Sequence, residues 1–195
     1  MQGDLAITGN PEADELLNTD PLALLIGMLL DQQVPMEWAF VGPYRLAERL
    51  GTLDAAAIAA ADPGELTAVF TAKPALHRYP ANMAKRTQAL CRHIVDHYGG
   101  DAARVWVGVR TGPELSDNLR SLPGYGDEKA KIFMAILAKR FGHTPSGWAE
   151  LAAPFSDDTP RSVADIDGPD RLQQVRAFKK AMKAKGRGKA DPVAP

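Results

Sequence analysis

The segment Leu122-Pro123-Gly124-Tyr125-Gly126 has the residue types of a turn that binds phosphate through its main chain. Proline fixes one backbone angle, and the two glycines permit positive φ without a penalty from a Cβ atom. Such a turn can direct several unpaired N–H groups at one point. A helix that starts directly after the turn adds its positive end, so this point suits a phosphate oxygen.

A second feature with binding chemistry is a cluster of positive charge near the carboxyl end. Between Arg171 and Ala190 there are eight basic residues and no acidic one, whereas the rest of the chain has nine more acidic than basic residues. A cationic segment on an acidic body can bind a polyanion by counterion release. A lysine run at a chain end is equally typical of a solvated, frayed terminus. We expect residues 186–195 to form a disordered basic tail.

The elements that must position these residues are predicted to be helices. The chain has 195 residues, of which 45% are apolar, enough for one compact unit or two small lobes with a shared core. The only strand-like run, 104–109, is too short to build a sheet, so we expect an all-α fold. Caps and apolar spacing predict helices that open at Asp20, Asp54, Asp62 and Thr111, and helices over 37–50, 82–98, 128–141 and 170–185.

Several other classes of protein and site have little support. The single cysteine, Cys91, excludes an intramolecular disulfide and a four-thiolate zinc or iron–sulfur site within one chain. No apolar run approaches the ~20 residues that span a bilayer. The amino end shows no signal-peptide pattern. We therefore expect a cytoplasmic protein without a membrane partner.

The Leu-Pro-Gly-apolar-Gly turn resembles the helix-hairpin-helix of DNA-binding proteins. A second motif, Leu29-Leu30-Asp31-Gln32-Gln33-Val34, ends the first strong helix, about 90 residues before the turn. The two motifs and their separation resemble the HhH-GPD superfamily of base-excision DNA glycosylases, over roughly residues 20–142. The resemblance implies a two-lobed helical fold with a central helix-hairpin-helix. One contiguous lobe would cover 31–120, and 1–30 plus 121–185 would form the other.

The resemblance also implies a double-stranded DNA partner that lies across the cleft between the lobes, with one nucleotide flipped out. Gln32 and Gln33 would fill the gap left by that base or contact the opposite base; alternatively, they merely cap a helix end. The expected phosphate-binding positions on and after the hairpin are Leu122, Gly124, Tyr125, Gly126, Lys129 and Lys131. Both lysines also suit a solvated helix face.

In relatives, hairpin carbonyls bind a monovalent cation that bridges to phosphate. The matching carbonyls here belong to Arg120, Leu122 and Tyr125, so a structural K⁺ or Na⁺ is expected at these positions. No other cofactor is required. The resemblance further implies a monomer associated with the bacterial nucleoid.

The chemistry of the superfamily depends on an aspartate downstream of the hairpin, whose carboxylate stabilises the positive charge that builds on the sugar. Counting without gaps places it near Ser146, where no carboxylate is present. With about twelve inserted residues, Asp158 matches the signature, as catalytic carboxylate and helix N-cap together. An ordinary turn explains the same residues equally well. Asp165 and Asp31 are the alternative candidates.

Other positions narrow the expected activity. Glu128 occupies the place of the nucleophilic lysine of bifunctional relatives, so no AP-lyase activity is expected. Met28 occupies the place of the glutamate of adenine-removing relatives. The chain is thus closest to the alkylated-base branch, which lacks an iron–sulfur cluster. Trp38, Tyr125 and Trp148 are candidates for stacking on an electron-poor base, or else core residues.

Three functions remain open on the sequence alone. The first is a monofunctional DNA glycosylase that hydrolyses the N-glycosidic bond of a damaged base, with alkylated bases as the favoured class. The second is a non-catalytic DNA-binding or damage-sensing module that has lost the catalytic aspartate. The third is a helical scaffold for protein partners, in which the hairpin is only a turn.

Overall fold

The computed structural model describes residues 2–192 and shows an all-helical protein in this range. No β-strand forms within it, as expected for the short run at 104–109, which a short 3₁₀ helix partly occupies. A second 3₁₀ helix covers Val163–Asp165. The α-helices are α1 (Pro11–Thr19), α2 (Pro21–Leu30), α3 (Met36–Leu50), α4 (Ala55–Ala60), α5 (Pro63–Thr71), α6 (Pro80–Tyr98), α7 (Gly112–Ser121), α8 (Asp127–Phe141), α9 (Trp148–Ala152) and α10 (Pro169–Ala184).

Local chemistry sets most of the helix ends, and four of the predicted N-caps are confirmed. Four predicted N-cap side chains accept a main-chain N–H of the first helical turn: Asp20, Asp54, Asp62 and Thr111. Three helices end at a glycine in the left-handed conformation: Gly51, Gly99 and Gly142. The helices that the sequence predicted therefore begin and end within a few residues of their predicted positions, whereas α1 was not predicted.

Helices α2 and α8 form the centre of the core. Every residue from Leu22 to Leu30 is buried in α2, and Ile132 to Ala138 are buried without interruption in α8. The buried apolar side chains form one contiguous cluster that extends from Leu5 to Val175. The two-lobed division at 31 and 120 remains a prediction. None of the helices described is both long enough and apolar enough to cross a membrane.

The carboxyl end of α2 meets the amino end of α8 at one edge of this core. The Tyr125 hydroxyl donates to the carbonyl of Leu25 at 2.8 Å. Nζ of Lys129 donates to the carbonyls of Met28 and Leu29, each at 2.7 Å. The ammonium group and the positive end of α8 thus lie beside the last carbonyls of α2, which is a favourable arrangement of charge. This junction brings the two sequence motifs together.

The carboxyl-terminal segment takes a course that the sequence did not indicate. Residues 186–192, expected to be disordered, lie against the body of the protein, where Lys189 forms an ion pair with Glu128. Residues 193–195, the remainder of the expected basic tail, lie outside the described residues.

Candidate nucleic-acid interface

A cleft of about 530 Å³ opens where the end of α2 meets the start of α8. Both sequence motifs contribute to its walls, through Gln32 and Gln33 on one side and Gly124 and Gly126 on the other. Six charged side chains also line the cleft: Arg86, Lys129, Lys179, Lys189, Asp31 and Glu128. Cations outnumber carboxylates four to two, so the cleft suits an anionic ligand although the chain as a whole is slightly acidic.

The hairpin turn presents open main-chain amides at the rim of the cleft. The N–H of Tyr125 donates to the carbonyl of Leu122 at 3.0 Å and closes the turn, while both glycines of the turn are exposed. Among the residues that the structure describes, no side chain caps α8. Within residues 2–192, five successive or nearly successive N–H groups have no acceptor, those of Gly124, Gly126, Asp127, Glu128 and Lys129. Open donors at the positive end of a helix are a suitable site for phosphate oxygens.

The two glycines of the turn serve different purposes. Gly124 has φ of +86°, and a Cβ atom at this position would lie 2.4 Å from Cδ1 of Leu29. Gly126 has φ of −82° and ψ of 176°, and a Cβ there would meet no atom within 4 Å. Of the two glycines that permit positive φ, only Gly124 adopts it. Gly126 instead leaves free space in front of the amides.

The opposite wall of the cleft is a strained turn that is held from two sides. Gln33 has φ of +57°, the only positive φ of a non-glycine residue in the part of the chain described. Oε1 of the Gln32 side chain accepts from Nη1 of Arg86 at 2.8 Å. The main-chain carbonyl of Gln32 accepts from Nε2 of His77 at 2.9 Å. Nδ1 of His77 accepts the N–H of Tyr79 at 3.0 Å, which assigns the neutral tautomer. Burial lowers the pKa of His77, consistent with this state.

The lysines of the cleft are partly buried and close to one another. Burial lowers the pKa of Lys129 to about 8, Asp31 opposes this shift, and the positive charges of Lys189 and Arg86 add to it. Burial and the charge of Lys189 also lower the pKa of Lys179, against the effect of Asp31. An anion that enters the cleft would relieve the repulsion among these cations.

Binding of a phosphate-bearing ligand in the cleft is expected to weaken as the pH rises above about 8, the pKa of Lys129 in the free protein. The ligand's negative charge raises this pKa, so binding takes up a proton between the free and the bound pKa values. Below that range Lys129 is protonated in both states and contributes no pH dependence. The dissociation constant for a fluorescent duplex, measured from pH 6.5 to 9.5 at fixed ionic strength, should rise by at most about tenfold per pH unit.

Lys129→Arg provides the matched control for this pH dependence. Its guanidinium keeps the positive charge throughout the range, because the pKa of arginine lies far above these pH values. The rise in the dissociation constant above pH 8 should become shallower in this variant. An identical pH profile in both proteins would show that Lys129 does not titrate on binding.

Several predicted binding positions contribute main chain only, or lie outside the cleft. Leu122 is buried, and so is Tyr125, whose pKa burial raises well above its usual value. Nζ of Lys131 lies 3.6 Å from Oδ2 of Asp127, which also pairs with Arg120. These side chains are buried or paired with other residues of the protein, whereas main-chain N–H groups of the turn have no acceptor.

The tryptophans predicted to stack on a base lie outside the cleft. Nε1 of Trp38 donates to the carbonyl of Ala75 at 3.3 Å, and its ring lines a separate groove along α3. Trp148 begins α9 and packs against the hydrophobic core. Tyr79, which is 44% exposed, lines a neighbouring pocket that shares Gln32, Gln33 and Arg86 with the cleft, and its hydroxyl lies 3.4 Å from Oε1 of Gln33.

The carbonyls expected to bind a monovalent cation are partly free. The Leu122 carbonyl accepts the N–H of Tyr125, but within residues 2–192 no donor bonds to the carbonyls of Arg120 and Tyr125. Carbonyl oxygens with free lone pairs are ligands that a hard cation accepts, so the residues present fit K⁺ or Na⁺. The ion itself remains a prediction.

Of the three candidate carboxylates, those of Asp158, Asp165 and Asp31, only that of Asp31 lines the cleft. Asp158 is exposed and begins no helix, because residues 153–162 form turns and irregular chain up to the 3₁₀ helix that Ser162 caps. The expectation that Asp158 is a helix N-cap is therefore wrong, and its side chain does not line the cleft. Asp31 does line it. Ser146, where an ungapped count places the aspartate, is exposed and bonded to Arg110 through its main chain.

Asp165 is a structural residue. Its side chain is 2% exposed and lies 2.6 Å from Nζ of Lys139. It also accepts the N–H groups of Arg161 and Ser162 at 2.9 and 3.0 Å. A carboxylate with all of these partners inside the protein holds the chain around the second 3₁₀ helix, and it is not among the residues that line the cleft.

The cleft includes residues that sequence reasoning had not assigned to it. Lys179 and Lys189 belong to the basic segment 171–190. The charge pattern indicated that this segment could bind a polyanion, but not where in the fold it lies. Arg86 and His77 carry no comparable signal, because their roles depend on α6 and the preceding loop packing beside the Gln32 turn.

Comparisons of the chain with models of protein families, with curated proteins and with solved structures gave no match.

Proposed function

We propose that this protein binds double-stranded DNA across the cleft, at a position where a base is damaged or displaced. The observation that supports this proposal is the meeting of two motifs about 90 residues apart in the sequence at one cationic cleft. The open amides at the start of α8 provide donors for phosphate oxygens. The Gln32-Gln33 turn provides polar side chains opposite them.

The charges of the cleft agree with this proposal. Most of the affinity for DNA comes from neutralising phosphates, and base contacts add selectivity. Arg86, Lys129, Lys179 and Lys189 supply the positive charge next to the open amides. Amide side chains such as those of Gln32 and Gln33 can both donate to and accept from the edge of an unpaired base. We propose on the same grounds that the chain is an HhH-GPD-type base-excision repair protein, and the resemblance to that superfamily implies a monomer.

The direct test is a titration of a fluorescent duplex at several salt concentrations. We expect binding that weakens steeply with salt, by roughly 0.9 logarithmic units per decade of salt for each phosphate contacted. A duplex with an abasic analogue should bind more tightly than the intact duplex. At the abasic position there is no base, so no free energy is spent on unstacking one. Absence of duplex binding at low salt would instead favour the helical scaffold.

A second candidate function is the monofunctional DNA glycosylase, and the position of Asp31 is the observation that favours it. Its carboxylate lines the cleft, as a group that stabilises a sugar cation must. Lys129 and Lys179 lie within the electrostatic reach of this carboxylate, which reduces its capacity to stabilise a second positive charge. We therefore place DNA binding first and hydrolysis second.

Asp31→Asn separates the two candidates. If the protein is a glycosylase, this substitution should lower base release by at least about a hundredfold, since it removes the charge that stabilises the transition state. Duplexes with different damaged bases would be incubated with the protein, and abasic products would be detected by alkaline cleavage. Asp158→Asn, an exposed carboxylate outside the cleft, is the matched control. Failure of the wild-type protein to release any base would support the damage-sensing module.

A further inference from the structure

The last described residues form a closed turn on the body of the protein. The N–H of Gly188 donates to Oδ2 of Asp191 at 2.7 Å, and the N–H of Asp191 donates to the carbonyl of Gly188 at 3.2 Å. Residues 188–191 therefore form a turn that is closed by two hydrogen bonds of its own.

A buried arginine holds this turn in place. Arg161 is 3% exposed, and its Nη1 donates to the carbonyls of Lys189 and Asp191 at 3.3 and 3.0 Å. Nε and Nη2 of the same guanidinium donate to the carboxylate of Asp157 at 3.1 and 2.8 Å. Its Cζ lies 5.5 Å from the centroid of the Phe178 ring on α10. One side chain thus connects the loop before the second 3₁₀ helix, α10 and the final turn.

The turn held in this way directs Lys189 into the cleft. Nζ of Lys189 lies 3.2 Å from Oε1 of Glu128 in the first turn of α8, and the side chain is 22% exposed. It lines the same cleft as Gly124 and Gly126. Lys189 therefore places a positive charge from the carboxyl-terminal segment beside the open amides, in the cleft that Lys179 of α10 also lines.

We propose that residues 186–191 are a phosphate-binding arm of the cleft, in which Arg161 is the positioning residue and Lys189 the residue that contacts phosphate. This inference rests on the proposed function, because the phosphate it requires is that of bound DNA.

The position of Glu128 explains why the arm is needed. A carboxylate in the first turn of α8 would repel a phosphate that approaches the open amides. Lys189 offsets that charge in the free protein, and its ammonium group can contact both the carboxylate and a phosphate oxygen, because it has three donors.

Lys189→Ala tests the phosphate contact. We expect duplex affinity to fall by about threefold to tenfold at moderate salt, and the slope of its logarithm against the logarithm of salt to decrease by about one. Lys183→Ala is the matched control, since it removes the same charge from an exposed position on α10 outside the cleft. Equal effects of the two substitutions would overturn the proposal.

The Glu128→Gln background distinguishes a phosphate contact from a lysine that only pairs with Glu128. If Lys189 contacts phosphate, Lys189→Ala should still lower the affinity and the salt slope in that background. If Lys189→Ala has no effect there, Lys189 acts only by neutralising the carboxylate, and the proposal is wrong.

Limited trypsin digestion tests the anchoring without DNA. Cleavage after Lys189 should be slower in the wild-type protein than in Arg161→Gln. It should also be slower than in Asp157→Asn, which keeps Arg161 but weakens its hold on the turn by removing the charge of its half-exposed carboxylate partner. Equal cleavage rates in folded variants would overturn the anchoring. Should the wild-type protein bind no duplex while its tail stays protected, the proposed function and the phosphate role of Lys189 would fail, whereas the anchored arm would stand.

Discussion

Gly126→Glu is expected to weaken duplex binding by at least about a hundredfold, which corresponds to about 2.7 kcal/mol. Gly126 is exposed and precedes the first turn of α8, where the open N–H groups lie. A glutamate at this position brings a carboxylate in front of donors that would otherwise bind phosphate. Like charges placed together at an interface cost several kcal/mol, so the loss of affinity should be large. Titration of a fluorescent duplex measures it.

The same substitution should leave the fold intact, which makes the binding result interpretable. Gly126 has an extended conformation that any residue can adopt, and a Cβ there meets no atom within 4 Å. The free energy of unfolding should stay within about 0.5 kcal/mol of the wild type. Gly126→Ala, with similar stability and nearly unchanged affinity, is the matched control. Wild-type affinity in Gly126→Glu would show that DNA does not contact this turn.

Gly124 is less suitable for this experiment, although it belongs to the same turn. Its φ of +86° and the 2.4 Å approach of a Cβ to Leu29 mean that any side chain strains the fold. Loss of binding in a Gly124 variant would therefore not separate a lost phosphate contact from a rearranged turn.

Asp165→Ala is expected to lower the free energy of unfolding by about 3–5 kcal/mol, because it leaves the largely buried ammonium of Lys139 without its carboxylate partner. The substitution also removes the acceptor of two main-chain N–H groups, those of Arg161 and Ser162. For a chain of this size the melting temperature should fall by roughly 10 °C. Urea denaturation and thermal unfolding monitored by circular dichroism would measure both quantities.

Asp158→Ala is the control for the structural role of Asp165. Asp158 is exposed, and substitutions at such positions usually change stability by no more than about 0.5 kcal/mol. If Asp165→Ala were as stable as the wild type, the ion pair with Lys139 would not support the fold, and a role of Asp165 in chemistry would have to be considered again.

Local signals in the sequence predicted the helices well, because helix ends depend on nearby residues. Asp20, Asp62 and Thr111 are N-caps as predicted, and Gly142 ends α8 as predicted. The all-α class follows from these local signals. The Asp158 helix start was wrong because an Asp-Thr-Pro sequence suits a turn as well as a helix, and here the turn forms.

The composition of the cleft depended on tertiary packing and was predicted only in part. Gln32 and Gly124 were recognisable because their motifs are local. Arg86 and Lys179 reach the cleft from α6 and α10, and no local pattern indicates which face of each helix packs there. Trp38 was a candidate for a base pocket by residue type alone, but its position on α3 directs it to another groove.

The proposed DNA binding depends on the open amides at the start of α8, and their resonances in a ¹⁵N–¹H spectrum test it most directly. A short duplex would be titrated into labelled protein at low salt, and the amide shifts would be followed residue by residue. We expect the resonances of the Gly124, Gly126 and Asp127 amides to shift strongly and to saturate with the dissociation constant of the duplex. Saturable binding that leaves these three amides unchanged would contradict this expectation.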